Sequence, residues 1–288
     1  VRLLLPSPSI ADHPPAAAGA APVVQHLAVP AYAHPVADAA SWAQLNSSPP
    51  GAVGIVVANV ASGPGSQPEA AWASVIHAAR AAGSHVLGYV DTGYLGSPSL
   101  AHPDGLPTRS GALGAQAWLS QIEADIEAWY QFYGADLGGI FLDEGTGACG
   151  PTSDPHGYVD EYRALRDRLQ SAHAGGMTAL NPGIAVPRCY RDAADVLVTF
   201  EGSYASYTGA ADVPGQDYEP LRWTPHAASS IWHIVYGATT TEEMAHAMAL
   251  SRQRGAGYVY VTDSGLPNPF GGLPPAGYWA AEVAHRGS

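Results

Sequence analysis

The chain has 288 residues, 47% of them hydrophobic and 13% charged, enough to bury a large core in one large domain or two ordinary ones. Its 25 acidic residues outnumber its 12 basic ones, for a net charge of −13. That balance argues against nucleic acid as a partner, which would need clustered Lys and Arg, and no apolar run approaches the ~20 residues of a membrane span.

Residues 1–24, rich in Ala and Pro, read as an N-terminal tail or linker, and residues 25–288 as the folded domain. A first strand is predicted over residues 25–30, running out at Tyr32, with a short helix around Trp42 and Leu45. The apolar run 54–60 is a buried strand that ends at Asn59 and Val60 and enters a Ser-Gly-Pro-Gly turn. In residues 69–82, Ala71, Trp72, Val75, Ile76 and Ala79 recur on one helical face, and Gly83 stops the helix. A third strand over 85–90 leads into Asp91 and a long Gly-, Pro- and Ser-rich loop reaching about Gly114. Ile122, Ile126, Trp129, Tyr130 and Tyr133 then mark another helix.

The stretch 138–145 is the most informative. It is a short apolar run bounded by glycines that ends in two carboxylates, Asp143 and Glu144. Acids at the edge of a core are costly unless they are paired, hydrated or used. Tyr158, Tyr162, Leu165 and Leu169 follow at helical spacing. Further strands are predicted at 177–183, 195–201, 231–236 and 257–263, with helices through Met244 and Met248 and around 278–283. Eight strand candidates alternating with helices predict parallel pairing through βαβ crossovers, and ~260 residues suit one single-domain (β/α)8 TIM barrel. A doubly wound sheet is the runner-up, because strand count does not establish closure.

Tyr32, Asn59, Asp91, Asp143, Glu144, Asn181, Glu201, Tyr236 and Asp263 all fall at or near strand C-terminal ends. In a barrel these positions converge on one face. Carboxylates from several strands suit acid/base and nucleophilic work on a glycosidic bond, and aromatics beside them suit the apolar faces of sugar rings. Asp91, Asn181 and Asp263 also fit plain turn roles. His233 alternates within a strand as a packed core histidine. No Gly-x-Ser-x-Gly, His-Glu-x-x-His or Cys-x-x-Cys pattern is present, so no metal or other cofactor is expected. Cys149 and Cys189 lie in loop contexts and are expected to pair, which points to an oxidising, extracellular compartment.

The ordered series 29–32, Asn59 with 62–65, 88–92, 139–144, 180–183, Ala194-Asp195 and Phe200-Glu201 resembles the spherulin-4 family across roughly residues 25–285. The resemblance implies a secreted (β/α)8 glycoside hydrolase. The family's characterised fungal members are endo-α-1,4-N-acetylgalactosaminidases that cut galactosaminogalactan. Their essential acids match Asp143, Glu144 and Glu201. Tyr32, Asn59, Asp91, Asn181 and Tyr236 are then expected to bind substrate, in a protein acting as a monomer on a polysaccharide, with a cationic amino-sugar polymer agreeing with the acidic charge. In roles, Asp143 is the expected nucleophile, Glu201 the acid/base, and Glu144 an orienting or tuning group, with retention of configuration at a carboxyl separation of ~5–5.5 Å favoured over inversion at ~6.5–9.5 Å. The loop from Leu95 to Leu113 departs from the family pattern and is expected at the site mouth. A non-catalytic carbohydrate-binding or spore-coat protein on the same barrel is the rival reading.

Overall fold

Eight parallel strands pair in chain order and close on themselves in a computed structural model that describes residues 25–210 and 216–287. The tail reading of residues 1–24 lies outside the described residues. The strands are β1 His26–Ala31, β2 Val53–Ala58, β3 His85–Asp91, β4 Gly139–Asp143, β5 Met177–Leu180, β6 Val196–Ser203, β7 Ile231–Tyr236 and β8 Tyr258–Val261. Closure is made by β1 against β8, with His26 beside Tyr258 and Leu27 beside Val259. It decides for the barrel over the doubly wound sheet.

The helices are α1 Ala39–Asn46, α2 Ala70–Ala81, α3 Ala115–Tyr133, α4 Gly157–Ala172, α5 Tyr204–Thr208, α6 Thr241–Gln253 and α7 Ala276–His285. They pack their apolar stripes on the outer face of the sheet. In α2 that stripe is Trp72, Ile76 and Ala79, and in α4 it is Val159, Tyr162, Leu165 and Leu169. Each fully buried aliphatic side chain of this kind contributes about 1.5–3 kcal/mol. Gly88 leaves room for the Trp129 ring, which a Cβ there would meet at 2.5 Å, and the Trp129 indole donates to the Tyr89 carbonyl at 2.7 Å.

Two strand ends and one register differ from the sequence reading near the site. β6 runs two residues beyond Glu201, because Ser203 serves as the N-cap of α5 and accepts from the Ser206 N–H. Its pairing with β7 shifts register between Val198 and Phe200, so the alternation of side chains along β6 is not the simple one. The predicted eighth strand is shorter, ending at Val261.

The loop after β3 also departs from expectation. Trp118 Nε1 donates to the Leu106 carbonyl at 2.8 Å, and Arg109 N–H donates to Gln121 Oε1 at 2.8 Å. Arg109 also pairs with the buried Asp125 of α3. These bonds fold the 97–113 segment onto α3, and none of its residues lines the carboxylate cleft described below.

Candidate active site

The C-terminal mouth of the barrel holds a cleft of about 490 Å³. Asp143, Glu144, Asn181 and Glu201 line it, with Tyr32 just after β1 and Tyr236 at the end of β7. The segment after β8, from Leu266 to Phe270, also lines it, with Phe270 against the Tyr32 ring. Ile184 and Tyr94 complete the rim.

Asp143 ends β4 and Asn181 follows β5 directly, so the two are neighbours across adjacent strands. Asn181 Nδ2 donates to Asp143 Oδ1 at 2.7 Å and to Glu201 Oε2 at 2.6 Å. Both partners are acceptors when ionised, which sets the orientation of the amide. Asn181 Oδ1 is buried and has no partner within the protein. Bonds of these lengths to one nitrogen hold the two bonded carboxylate oxygens no more than about 5 Å apart, closer than the ~6.5–9.5 Å that separates the carboxyl groups of an inverting pair.

The same carboxyl groups differ in environment. Burial pushes Asp143 up from the ordinary aspartate range, and nearby Asp91 adds to this. Three donors oppose it: the Tyr89 hydroxyl, the Glu144 N–H and Asn181. Glu201 is pushed up to about 7, first by burial and then by the charge of Asp143, with Asn181 acting against both. Glu144 is also pushed up to about 7, by burial and by the charges of Asp91 and Asp143. One group with three donors beside another with a single donor is an arrangement that separates a base from an acid.

Glu144 and Asp91 hydrogen-bond through their side chains, with the protonated Glu144 as donor to the Asp91 carboxylate. Asp91 Oδ1 also accepts from the Gly93 N–H at 2.8 Å, an Asx-turn as well as a contact to the site. Asp91 therefore supports Glu144 from behind and does not line the cleft. Asn59 stands apart. Its Oδ1 accepts from the Gly63 N–H at 3.2 Å, holding the turn after β2, and it does not reach the cleft. Tyr32 is set edge-on between Tyr89 and Phe270, with ring centroids 5.6 and 5.7 Å away. Tyr236 titrates above the ordinary phenol value because of burial and the charge of Glu201.

The loop carrying Glu144 is fastened from outside. Thr92 Oγ1 donates toward the carbonyls of Asp143 and Glu144, at 2.8 and 2.9 Å. Tyr162 accepts from the Thr146 N–H, and Tyr190 donates to the carbonyls of Thr146 and Ala148. Cys149 and Cys189 form the expected disulfide, with Cα atoms 6.1 Å apart. The pairing ties the loop after β4 to the one after β5.

Tyr94 and the 266–270 segment line the cleft without standing at a predicted strand end. An aromatic beside Asp91-Thr92-Gly93 and a Pro-Asn-Pro-Phe run after the eighth strand were the available signals. His233 is buried, as expected, between the Tyr207 hydroxyl and Thr199 Oγ1 at 2.7 and 3.1 Å, and burial lowers its pKa to about 3. Among the described residues, no group of three or more His, Cys, Asp or Glu is arranged to hold a metal ion, and no helix is long and apolar enough to cross a membrane.

The described residues thus form one (β/α)8 barrel with a cluster of carboxyl groups at the C-terminal mouth. The chain belongs to the spherulation-specific family 4 (Spherulin4), whose profile matches residues 26–285. It is 28% identical over 199 residues to Spherulin-4 of Physarum polycephalum, covering 66% of this chain and 51% of that protein. The match thus spans about half the length of that relative. It is also similar to the crystal structure of Aspergillus clavatus Sph3 in complex with GalNAc, with a TM-score of 0.66 and 20% identity, covering 92% of this chain and 98% of that one. At that identity the likeness is one of fold.

Proposed function

We propose that this protein is a secreted, retaining endo-glycosidase that cleaves α-1,4-linked galactosamine or N-acetylgalactosamine polysaccharide. The observation that carries the reading is the Asp143–Asn181–Glu201 bridge, two carboxyl groups drawn together by one amide, a closeness that favours retention over inversion. Family membership, and a barrel like that of a protein solved with GalNAc, support the sugar class. The disulfide supports an oxidising, extracellular destination.

In the first step an Asp143 oxygen attacks the anomeric carbon as the bond to the glycosidic oxygen breaks. Glu201 gives its proton to that leaving oxygen, so the departing chain leaves as a neutral alcohol. A covalent glycosyl ester on Asp143 remains, and Glu201 is now a carboxylate. In the second step Glu201 takes a proton from water, whose oxygen displaces Asp143 from the anomeric carbon. Both catalytic groups return to their starting states with configuration retained. An α-linked 2-acetamido sugar carries its leaving group cis to the acetamido group, so the acetamido oxygen cannot attack from the back. The nucleophile must come from the protein, and Asp143 supplies it. Glu144 orients the sugar.

Release of new reducing ends from purified galactosaminogalactan tests the reaction. Proton NMR of the first-formed anomer tests retention. Binding of the polymer without release of reducing ends by the wild-type protein would favour the non-catalytic carbohydrate-binding reading and remove this one.

A further inference from the structure

Four consecutive residues after β3 have left-handed backbone: Gly93 (φ 49°), Tyr94 (φ 54°), Leu95 (φ 52°) and Gly96 (φ 64°). Glycine adopts this conformation readily. For Tyr and Leu it is unfavourable, because Cβ crowds the following carbonyl. Non-glycine residues held this way persist where the surrounding structure imposes the conformation, and such positions concentrate at functional sites.

The surroundings here do impose it. Gly93 lies flat against Trp118, whose ring a Cβ at that position would meet at 2.1 Å. Leu95 is 1% exposed and anchors the turn in the core. The Tyr94 N–H donates to the Glu144 carbonyl at 2.7 Å, and Glu144 is itself left-handed at φ 52°. The turn and the acid are therefore one locked unit. Its only large side chain directed outward is Tyr94, which is 42% exposed and lines the carboxylate cleft.

The distribution of exposed apolar groups points the same way. Among the described residues six large apolar side chains are exposed, and three of them, Tyr94, Ile184 and Leu266, stand on the rim of this one cleft. Apolar groups gathered at the mouth of a polar site mark a surface that receives a ligand.

We propose that Tyr94 is a substrate-positioning residue: the left-handed turn holds its ring as a platform on the Glu144 side of the cleft, where it stacks against the apolar face of a sugar unit of the polysaccharide. The proposal rests on the glycosidase reading and adds to it the residue that seats the substrate. Stability is given up at Tyr94 to place an aromatic ring where glycine would be the relaxed choice.

The test compares Tyr94→Phe, Tyr94→Ala and Tyr94→Gly by steady-state hydrolysis of size-fractionated galactosaminogalactan oligosaccharides, by calorimetric binding of the same oligosaccharides, and by thermal unfolding. Stacking predicts that Tyr94→Phe retains kcat/KM within about twofold. Tyr94→Ala and Tyr94→Gly raise KM and Kd by about tenfold, with kcat changed far less. Tyr94→Gly melts no lower than wild type, since glycine relieves the left-handed position. A purely structural role would instead lower the melting temperature and kcat together. Folded Tyr94→Gly with wild-type KM and affinity would overturn this inference alone. A wild-type protein that binds but does not cleave would overturn the reaction and leave Tyr94 to be judged by the affinities. A wild type that neither binds nor cleaves would remove both.

Discussion

Asp143 and Glu201, which come from different strands and lie 58 positions apart in the numbering of the chain, accept from the same nitrogen, Asn181 Nδ2, at 2.7 and 2.6 Å. One neutral donor shared between two acids does two things. It fixes their separation, and it keeps both pKa values below what burial alone would impose. Asp143 has two further donors, the Tyr89 hydroxyl and the Glu144 N–H, that Glu201 lacks.

Asn181→Ala removes that shared donor. Turnover is expected to fall by about 100-fold or more, the usual cost of losing one preorganised donor at a reacting centre. Because Asn181 lowers the pKa of Glu201, the variant's residual activity should extend to higher pH than that of wild type. Initial rates of reducing-end release across pH check both points. A folded variant with wild-type turnover would contradict them.

The two acids set opposite limbs of the pH profile. Asp143 must be ionised to attack, so kcat/KM falls at low pH as it takes up a proton. Glu201 must be protonated to donate, so kcat/KM falls as pH rises through about 7. Asp143→Asn and Glu201→Gln should each cut turnover by at least ~100-fold with the fold intact. Activity that continues to rise well above pH 8 would speak against Glu201 as the acid.

Glu282 in α7 is fully buried on the outer side of the barrel. Its Oε1 accepts from the Val261 N–H at 2.8 Å, while Oε2 has no partner. Burial pushes its pKa up to about 8, with the charge of Asp263 adding to this. The folded state therefore holds this proton more tightly than the unfolded chain does. The resulting stability is fully present below the unfolded value of about 4.3 and is lost progressively as pH rises through about 8. The melting temperature of wild type should fall between about pH 5 and pH 8 and level off above that, and Glu282→Gln should flatten that decline. Thermal unfolding at fixed ionic strength measures it, and an unchanged slope in the variant would refute the assignment.

Reduction of the Cys149–Cys189 bond, or replacement of both cysteines by serine, frees a 40-residue separation in the unfolded chain. The loop-closure argument predicts a loss of about 4 kcal/mol. Denaturant unfolding of the oxidised and doubly substituted proteins measures it. Because the bond fastens the loop that follows Asp143 and Glu144, turnover at low temperature should also decline in the substituted protein.

The local features of the chain are legible in its sequence. Apolar runs alternating with helical stripes specify eight βα units, because strand and helix periodicities are short-range properties of the chain. The abrupt change from Leu142 to Asp143 and Glu144 marks a strand end that carries chemistry, because charge beside a core needs a reason. Two cysteines in loops are enough to propose their bond. Closure of the barrel is different: it depends on β1 meeting β8, more than 200 positions away, and no local pattern encodes that meeting. The same distance in sequence hides the work of individual polar residues. Asn59 and Asn181 look alike as residues near strand ends, yet one holds the turn at Gly63 and the other bridges two acids. Asp91 looks like a cleft residue and instead backs Glu144. Tyr94 faces the cleft only because Trp118, Leu95 and the Glu144 carbonyl hold its backbone left-handed. Residue type and strand position specify which groups reach the barrel mouth. Their partners there, and so their protonation and roles, are decided by contacts between strands, which exist only once the barrel has closed.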